Sequence, residues 1–176
     1  MLQAPVSDRE QPMTEPNYET NLQHARDLVT ANKGSEMMPR DVFWAPITAQ
    51  RFLDLQDVGG NDDYFSSDFT NEQLADRLGH VSERSTSKRK VLVAYSGSDE
   101  YVPKHVDTKL LTKRLVHAMN SKCSSSSDDG GDDAVGVAES LYLDTANHNL
   151  SEGKGDAEKF VAKVTELLKE AGSESN

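Results

Sequence analysis

The chain has 176 residues, a formal charge of −11, 35% hydrophobic and 28% charged residues, and a single cysteine. That length carries one modest domain; the acidity argues against nucleic-acid and anionic-membrane partners, and a lone thiol excludes an internal disulfide. No apolar run reaches the roughly 18 residues of a membrane span and no basic-plus-apolar leader is read, so a soluble, cytoplasmic protein with a small ordered core is expected.

In chain order, residues 2–6 read as a weak strand that Pro5 would end, and Asp8-Arg9-Glu10 as the loop leaving it, holding a local ion pair or turn. Residues 17–33 place Leu22, Ala25, Leu28 and Val29 at helical spacing, with Gly34 as the stop. Residues 37–47, with Phe43, Trp44 and Ile47 around Pro39 and Pro46, suit a compact loop or short helix packed on the core. A second short helix over 48–55 carries Phe52, Leu53 and Leu55 and ends at Gly59-Gly60. The acidic run 61–68 lacks the sixth-position Gly and the twelfth-position Glu of a calcium loop, so it is read as a loop with Tyr64 and Phe65 turned inward and no metal. Thr70-Asn71-Glu72-Gln73 has the form of a capping box ahead of Leu74 and Leu78.

A basic, Ser-rich connector over 82–90 leads to Val91-Leu92-Val93-Ala94-Tyr95, an unbroken apolar run that suits a strand buried on both faces of a parallel sheet. Ser96-Gly97-Ser98 then turns the chain and delivers Asp99 to the strand's carboxyl end, where α/β sheets place their sites. Asp107 reads as the N-cap of a helix with Leu110, Leu111, Leu115, Val116 and Met119 as its buried stripe. Residues 121–133 are a low-complexity acidic insertion, and 137–143 form a further strand that hands His148 to a loop. A final amphipathic helix over 156–171 carries Phe160, Val161, Val164, Leu167 and Leu168, with Gly172 as its stop and 173–176 as a disordered tail. Right-handed crossovers bring the loops after 91–95 and 137–143 to one sheet edge, so Asp99 and His148 can meet.

Strand, loop, acid, helix, strand, loop, histidine, helix resembles the later part of an α/β-hydrolase, whose chain order is nucleophile, acid, histidine. Asp99-Glu100-Tyr101-Val102-Pro103 looks like the acid loop of that superfamily and Ala146-Asn147-His148-Asn149 like its histidine loop. More narrowly, Pro5-Val6-Ser7-Asp8-Arg9-Glu10, Asp62-Asp63-Tyr64-Phe65-Ser66-Ser67-Asp68 and 95–103 resemble the largely fungal DUF1749 (UPF0613-like) family, which includes siderophore esterases. The resemblance implies a partial α/β-hydrolase domain over 1–172: parallel strands flanked by helices, with a helical, cap-like insertion over 17–80 and flexible polar segments at 82–89 and 121–133. It implies ester substrates, no cofactor, Asp99 and His148 as acid and base, and Phe43 and Trp44 either as cap contacts to a substrate's apolar part or as core.

No Gly-x-Ser-x-Gly occurs in the chain. The expectation is therefore a hydrolase piece that has two members of a triad, lacks the nucleophile half and is inactive alone. Cys123 lies in a polar Ser/Asp tract without the surroundings that would activate a thiol. Ser96 and Ser98 share the turn with the acid and are assigned to orienting it. Glu100 is the neighbouring alternative acid, while His24, His80, His105 and His117 follow no strand. Two function classes remain: a fragment of a serine esterase, and a non-catalytic interaction protein that keeps the later half of the fold. The open first strand adds pairing with another chain as a third route.

Overall fold

The computed structural model describes residues 1–83, 90–123 and 136–173. Of the expected flexible segments 82–89 and 121–133 and tail 173–176, residues 84–89, 124–133 and 174–176 lie outside the described residues, while Ser82 and Glu83 belong to a helix and Ser173 ends the last one. The elements are, in order, β1 (Leu2–Gln3), a 3-10 turn (Pro12–Thr14), α1 (Tyr18–Thr30), α2 (Ala49–Gln56), α3 (Asn71–Leu78), α4 (His80–Glu83), β2 (Val91–Ser96), α5 (Thr108–Asn120), β3 (Ala138–Leu143) and α6 (Asp156–Ser173). They divide into two compact units, one of residues 1–5 and 67–176 and the other of residues 6–66. The stretch read as a cap-like insertion is thereby split, with 67–80 in the unit that holds the sheet.

That first unit is an α/β fold around a parallel sheet of order β1-β2-β3, with Leu2 opposite Val93 and Val91 opposite Ala138. Central β2 is buried from Leu92 to Ser96, as an apolar run covered on both faces requires. β1 is shorter than the 2–6 expected. Ala4 still donates its amide to Ala94 O at 2.8 Å, but its φ of 47° turns the chain away and Pro5 has no N–H to continue the ladder.

Tyr95 and Tyr142 stack at 6.3 Å beneath α5, where Thr108 Oγ1 meets the Tyr142 hydroxyl at 2.6 Å. Glu139 has the opposite parity on β3 and pairs with Lys163 of α6 at 3.1 Å, which puts α6 on the other face and makes three layers. Asp107 caps α5 by accepting the Leu110 amide at 2.9 Å. The buried stripe is Leu111, Leu115, Ala118 and Met119; Leu110 is exposed and Val116 only half-buried, because the helix is rotated toward Ala118. Likewise α6 half-buries Phe160, Val164 and Leu167 and leaves Val161 and Leu168 exposed. The capping box of Thr70 and Gln73 forms as read, and Arg114 of α5 ties α3 in place through Asn71 Oδ1 and Ser67 O, both at 2.8 Å. Asn120 closes the unit by pairing both its amide groups with the backbone of Ala138, each at 2.9 Å.

The second unit packs α1 and α2 around Tyr18, Leu22, Ala25, Met38, Ile47, Ala49 and Phe52. α1 stops before Gly34, because Asn32 takes the left-handed conformation (φ 59°) and the Lys33 amide returns to Leu28 O at 2.8 Å. Residues 37–47 form a loop closed by a Met37–Thr48 bridge. Phe43 rests on the core whereas Trp44, its ring 5.8 Å from that of Phe43, is 91% exposed, so of the two alternatives read for the pair the core placement holds only for Phe43. In the acidic run the inward residues are Asp63 and Ser66, while Tyr64 and Phe65 are half-buried. The reason is Arg9: fully buried, it places Nε 2.6 Å from Asp63 Oδ2, a long-range ion pair where a local one was expected. Ser66 donates to the other carboxylate oxygen and meets Ser7 Oγ at 2.7 Å, clasping the two ends of the unit together.

Candidate active site

Beyond the sheet, the ends of β2 and β3 stay laced. Gly97 donates its amide to Leu143 O at 2.7 Å and Ser98 to Ala146 O at 3.0 Å. A Cβ on Gly97 would lie 2.6 Å from Asp144 O, so glycine is required here by close approach, and not by the special turn geometry that the sequence suggested. Gly97→Ala is expected to cost about 1–3 kcal/mol, because the atom in the way is backbone and cannot rotate aside. Urea unfolding of that variant measures it; an unchanged midpoint would refute the close-approach argument.

The laced loops set Asp99 beside His148. Asp99 is 8% exposed, with Oδ2 at 2.9 Å from His148 Nδ1 and Oδ1 accepting the Tyr101 amide at 3.0 Å. A carboxylate only accepts, so Nδ1 carries a proton, and in the neutral ring that tautomer puts the lone pair on Nε2. The edge-on ring of Tyr101, 4.9 Å from the imidazole, fills one side, and the histidine side chain remains 35% exposed. Its main chain is held too: Gln3 Nε2 of β1 donates to His148 O, and the His148 amide donates to Glu100 Oε2 at 2.9 Å. A general base needs this combination of fixed ring, set tautomer and accessible second nitrogen.

The histidine loop is pinned again at its far end. Asp156, 1% exposed, accepts the Thr145 amide at 2.9 Å and the Thr145 hydroxyl at 2.7 Å, and pairs with Lys159 at 2.7 Å. Lys159 first, then the Thr145 bonds, draw its pKa from 3.8 to about 2. A carboxyl depressed by folding stabilises in full above about pH 4, and that contribution is lost as pH falls through about 2. The protection factor of the Thr145 amide, its exchange rate compared with the intrinsic rate at each pH, is expected to fall between pH 5 and pH 2, and Asp156→Asn to abolish that dependence.

The other residues singled out by sequence are not in this constellation. Glu100 takes the His148 backbone and not its ring. Neither serine of the turn orients Asp99: Ser98 Oγ donates to Asp144 O at 3.4 Å, and Ser96 Oγ is buried without a partner among the described residues. β2 runs through Ser96, which is fully buried as part of the strand and not of the turn. Half-buried Cys123 lies beside Asn120. His24, His80, His105 and His117 are exposed, and the ring of His80 sits on Arg77 O at 2.8 Å. Among the described residues no cluster of three His, Cys, Asp or Glu could hold a metal ion. Sequence reading missed Gln3, Tyr101 and Asp156; only Asp156 carried a signal, as an acid in the first turn of a helix.

A family model described as a protein of unknown function (DUF1749) matches residues 1–169. The chain is 34% identical over 139 residues to a UPF0613 protein of Schizosaccharomyces pombe, covering 72% of this chain and 44% of that protein. It is 30% identical over 181 residues to a fusarinine C esterase of Aspergillus fumigatus, covering 86% of this chain and 48% of that one, and 32% identical to an esterase of Emericella nidulans, covering 90% and 48%. Among solved structures, the siderophore hydrolase EstB from Aspergillus fumigatus superposes with a TM-score of 0.73 at 26% identity, covering 96% of this chain and 56% of that one. The chain thus spans about half the length of the curated relatives it matches.

Proposed function

Because the chain belongs to the DUF1749 family and is related to fungal esterases of the α/β-hydrolase type, we propose that it supplies the acid and base of a serine esterase acting on siderophore-type esters. The observation that carries this reading is the 2.9 Å bond from His148 Nδ1 to buried Asp99, at the ends of two adjacent parallel strands. His148 Nε2 takes the proton of a serine hydroxyl as its oxygen attacks the ester carbonyl, then gives that proton to the departing alcohol. Water repeats the cycle on the acyl-serine and releases the acid. Asp99 holds the tautomer and stabilises the imidazolium in both halves. The serine comes from outside these 176 residues, on a segment that pairs along the open edge of β1, in the same polypeptide or in a partner.

The test is hydrolysis of fusarinine C and of a simple p-nitrophenyl ester, by this chain and by the longest reading frame of its gene. Turnover by the longer form and none by the chain alone is the expected result; a folded longer form inert toward both esters would sink the proposal. A non-catalytic interaction role is the second reading, favoured by the missing Gly-x-Ser-x-Gly and by exposed Val161 and Leu168 on α6.

A further inference from the structure

Glu100 adjoins the acid in sequence yet never touches the imidazole. Its Oε2 accepts the main-chain N–H of His148 at 2.9 Å, across 48 positions of chain. That bond is the first cause holding its carboxyl below the usual range. Asp99, one residue earlier, takes the ring of the same histidine at 2.9 Å. In the turn after β2, which the Val102 amide closes on Asp99 O at 3.3 Å, the two neighbouring carboxylates reach two ends of one residue. The distinction matters because the position of Nε2 depends on both the ring torsion and the place of the backbone that carries it. A bond to the ring alone lets the loop and the ring shift together. A second, charge-assisted bond to the amide removes that freedom, and such bonds are about twice as strong as neutral ones.

We propose that Glu100 is a positioning residue for His148: Asp99 fixes the ring, Glu100 fixes the main chain, and together they give Nε2 one location. The inference deepens the esterase reading and rests on it for its purpose. Since Glu100 is exposed, its replacement leaves the core intact.

The test uses the 176-residue chain and two NMR signals, hydrogen exchange of the His148 amide and the low-field Nδ1 proton of the Asp99–His148 bond. Glu100→Ala is expected to speed amide exchange about tenfold, the worth of one such bond, and to broaden the Nδ1 signal. Glu100→Gln keeps an oxygen able to accept the same N–H and is expected to restore most of both. Asp99→Asn should remove the Nδ1 signal while the amide stays protected. If Glu100→Ala changes neither signal, the inference is overturned and the dyad stands. If the unsubstituted chain shows no low-field Nδ1 proton, the dyad falls, and the purpose assigned to Glu100 falls with it.

Discussion

On the proposed esterase reading, in a form of the protein that also carries the serine, His148→Gln is expected to lower kcat by about 10⁴-fold or more while leaving KM within a few-fold, because His148 would act as base in the transition state and not in substrate binding. Asp99→Asn is expected to fall almost as far, about 10⁴-fold, for a different reason. Its amide nitrogen can donate to Nδ1, which moves the ring proton to Nε2 and leaves no lone pair facing the serine. The carboxylate's second partner, the Tyr101 amide at 3.0 Å, constrains the replacement as well. Combining the two substitutions should cost little more than either alone, since they disable one unit. His105→Gln, an exposed position outside the constellation, serves as the control and is expected to retain wild-type rates. Steady-state ester hydrolysis decides the matter: losses below about tenfold for both His148→Gln and Asp99→Asn would exclude the dyad from catalysis.

That Asp99 and His148 would meet was readable because of where the information for their meeting lies. Val91 to Tyr95 announce a buried strand through unbroken apolarity, Gly97 marks the close crossing that follows, and Asp99 and His148 are chemically reactive types at strand ends. Each signal is local. The partners that hold His148 in place are not: Gln3 lies 145 positions away and Glu100 48 positions away, and a side chain that meets a main-chain group so distant in sequence leaves no local signature. The stripe of α5 was misread by one residue at Leu110 because periodicity gives the face of a helix only to within the arc of one side chain. Of the two alternatives read for Phe43 and Trp44, the core placement holds for Phe43 and fails for the exposed Trp44, because composition does not say which of two adjacent aromatics a loop turns inward.

The largest expected loss of stability lies in the second unit, at Arg9 and Asp63. Arg9 is wholly buried and the Asp63 side chain nearly so, at 2.6 Å from each other. Sequence suggested a solvated acidic run at 61–68, and the pair inverts that reading by turning the carboxylate inward to meet a guanidinium from 54 positions earlier. Replacing either partner alone leaves a charge in a space that water does not reach, so Arg9→Met and Asp63→Leu are each expected to cost about 3–5 kcal/mol. The double replacement removes both charges of this pair together, and is expected to recover most of that loss. Asp63 also accepts from Ser66 and from the Gly59 amide at 3.3 Å, so its removal frees two further donors and should be the worse of the two. Because Ser66 in turn meets Ser7, the loss reaches the clasp between the ends of residues 6–66, and this unit should unfold first. Urea unfolding of the four-member cycle, followed by exchange protection in α1 and α2, measures both claims. Additive single costs with no recovery in the double variant would show that the pair is not coupled, and that Arg9 is held by its surroundings and not by Asp63.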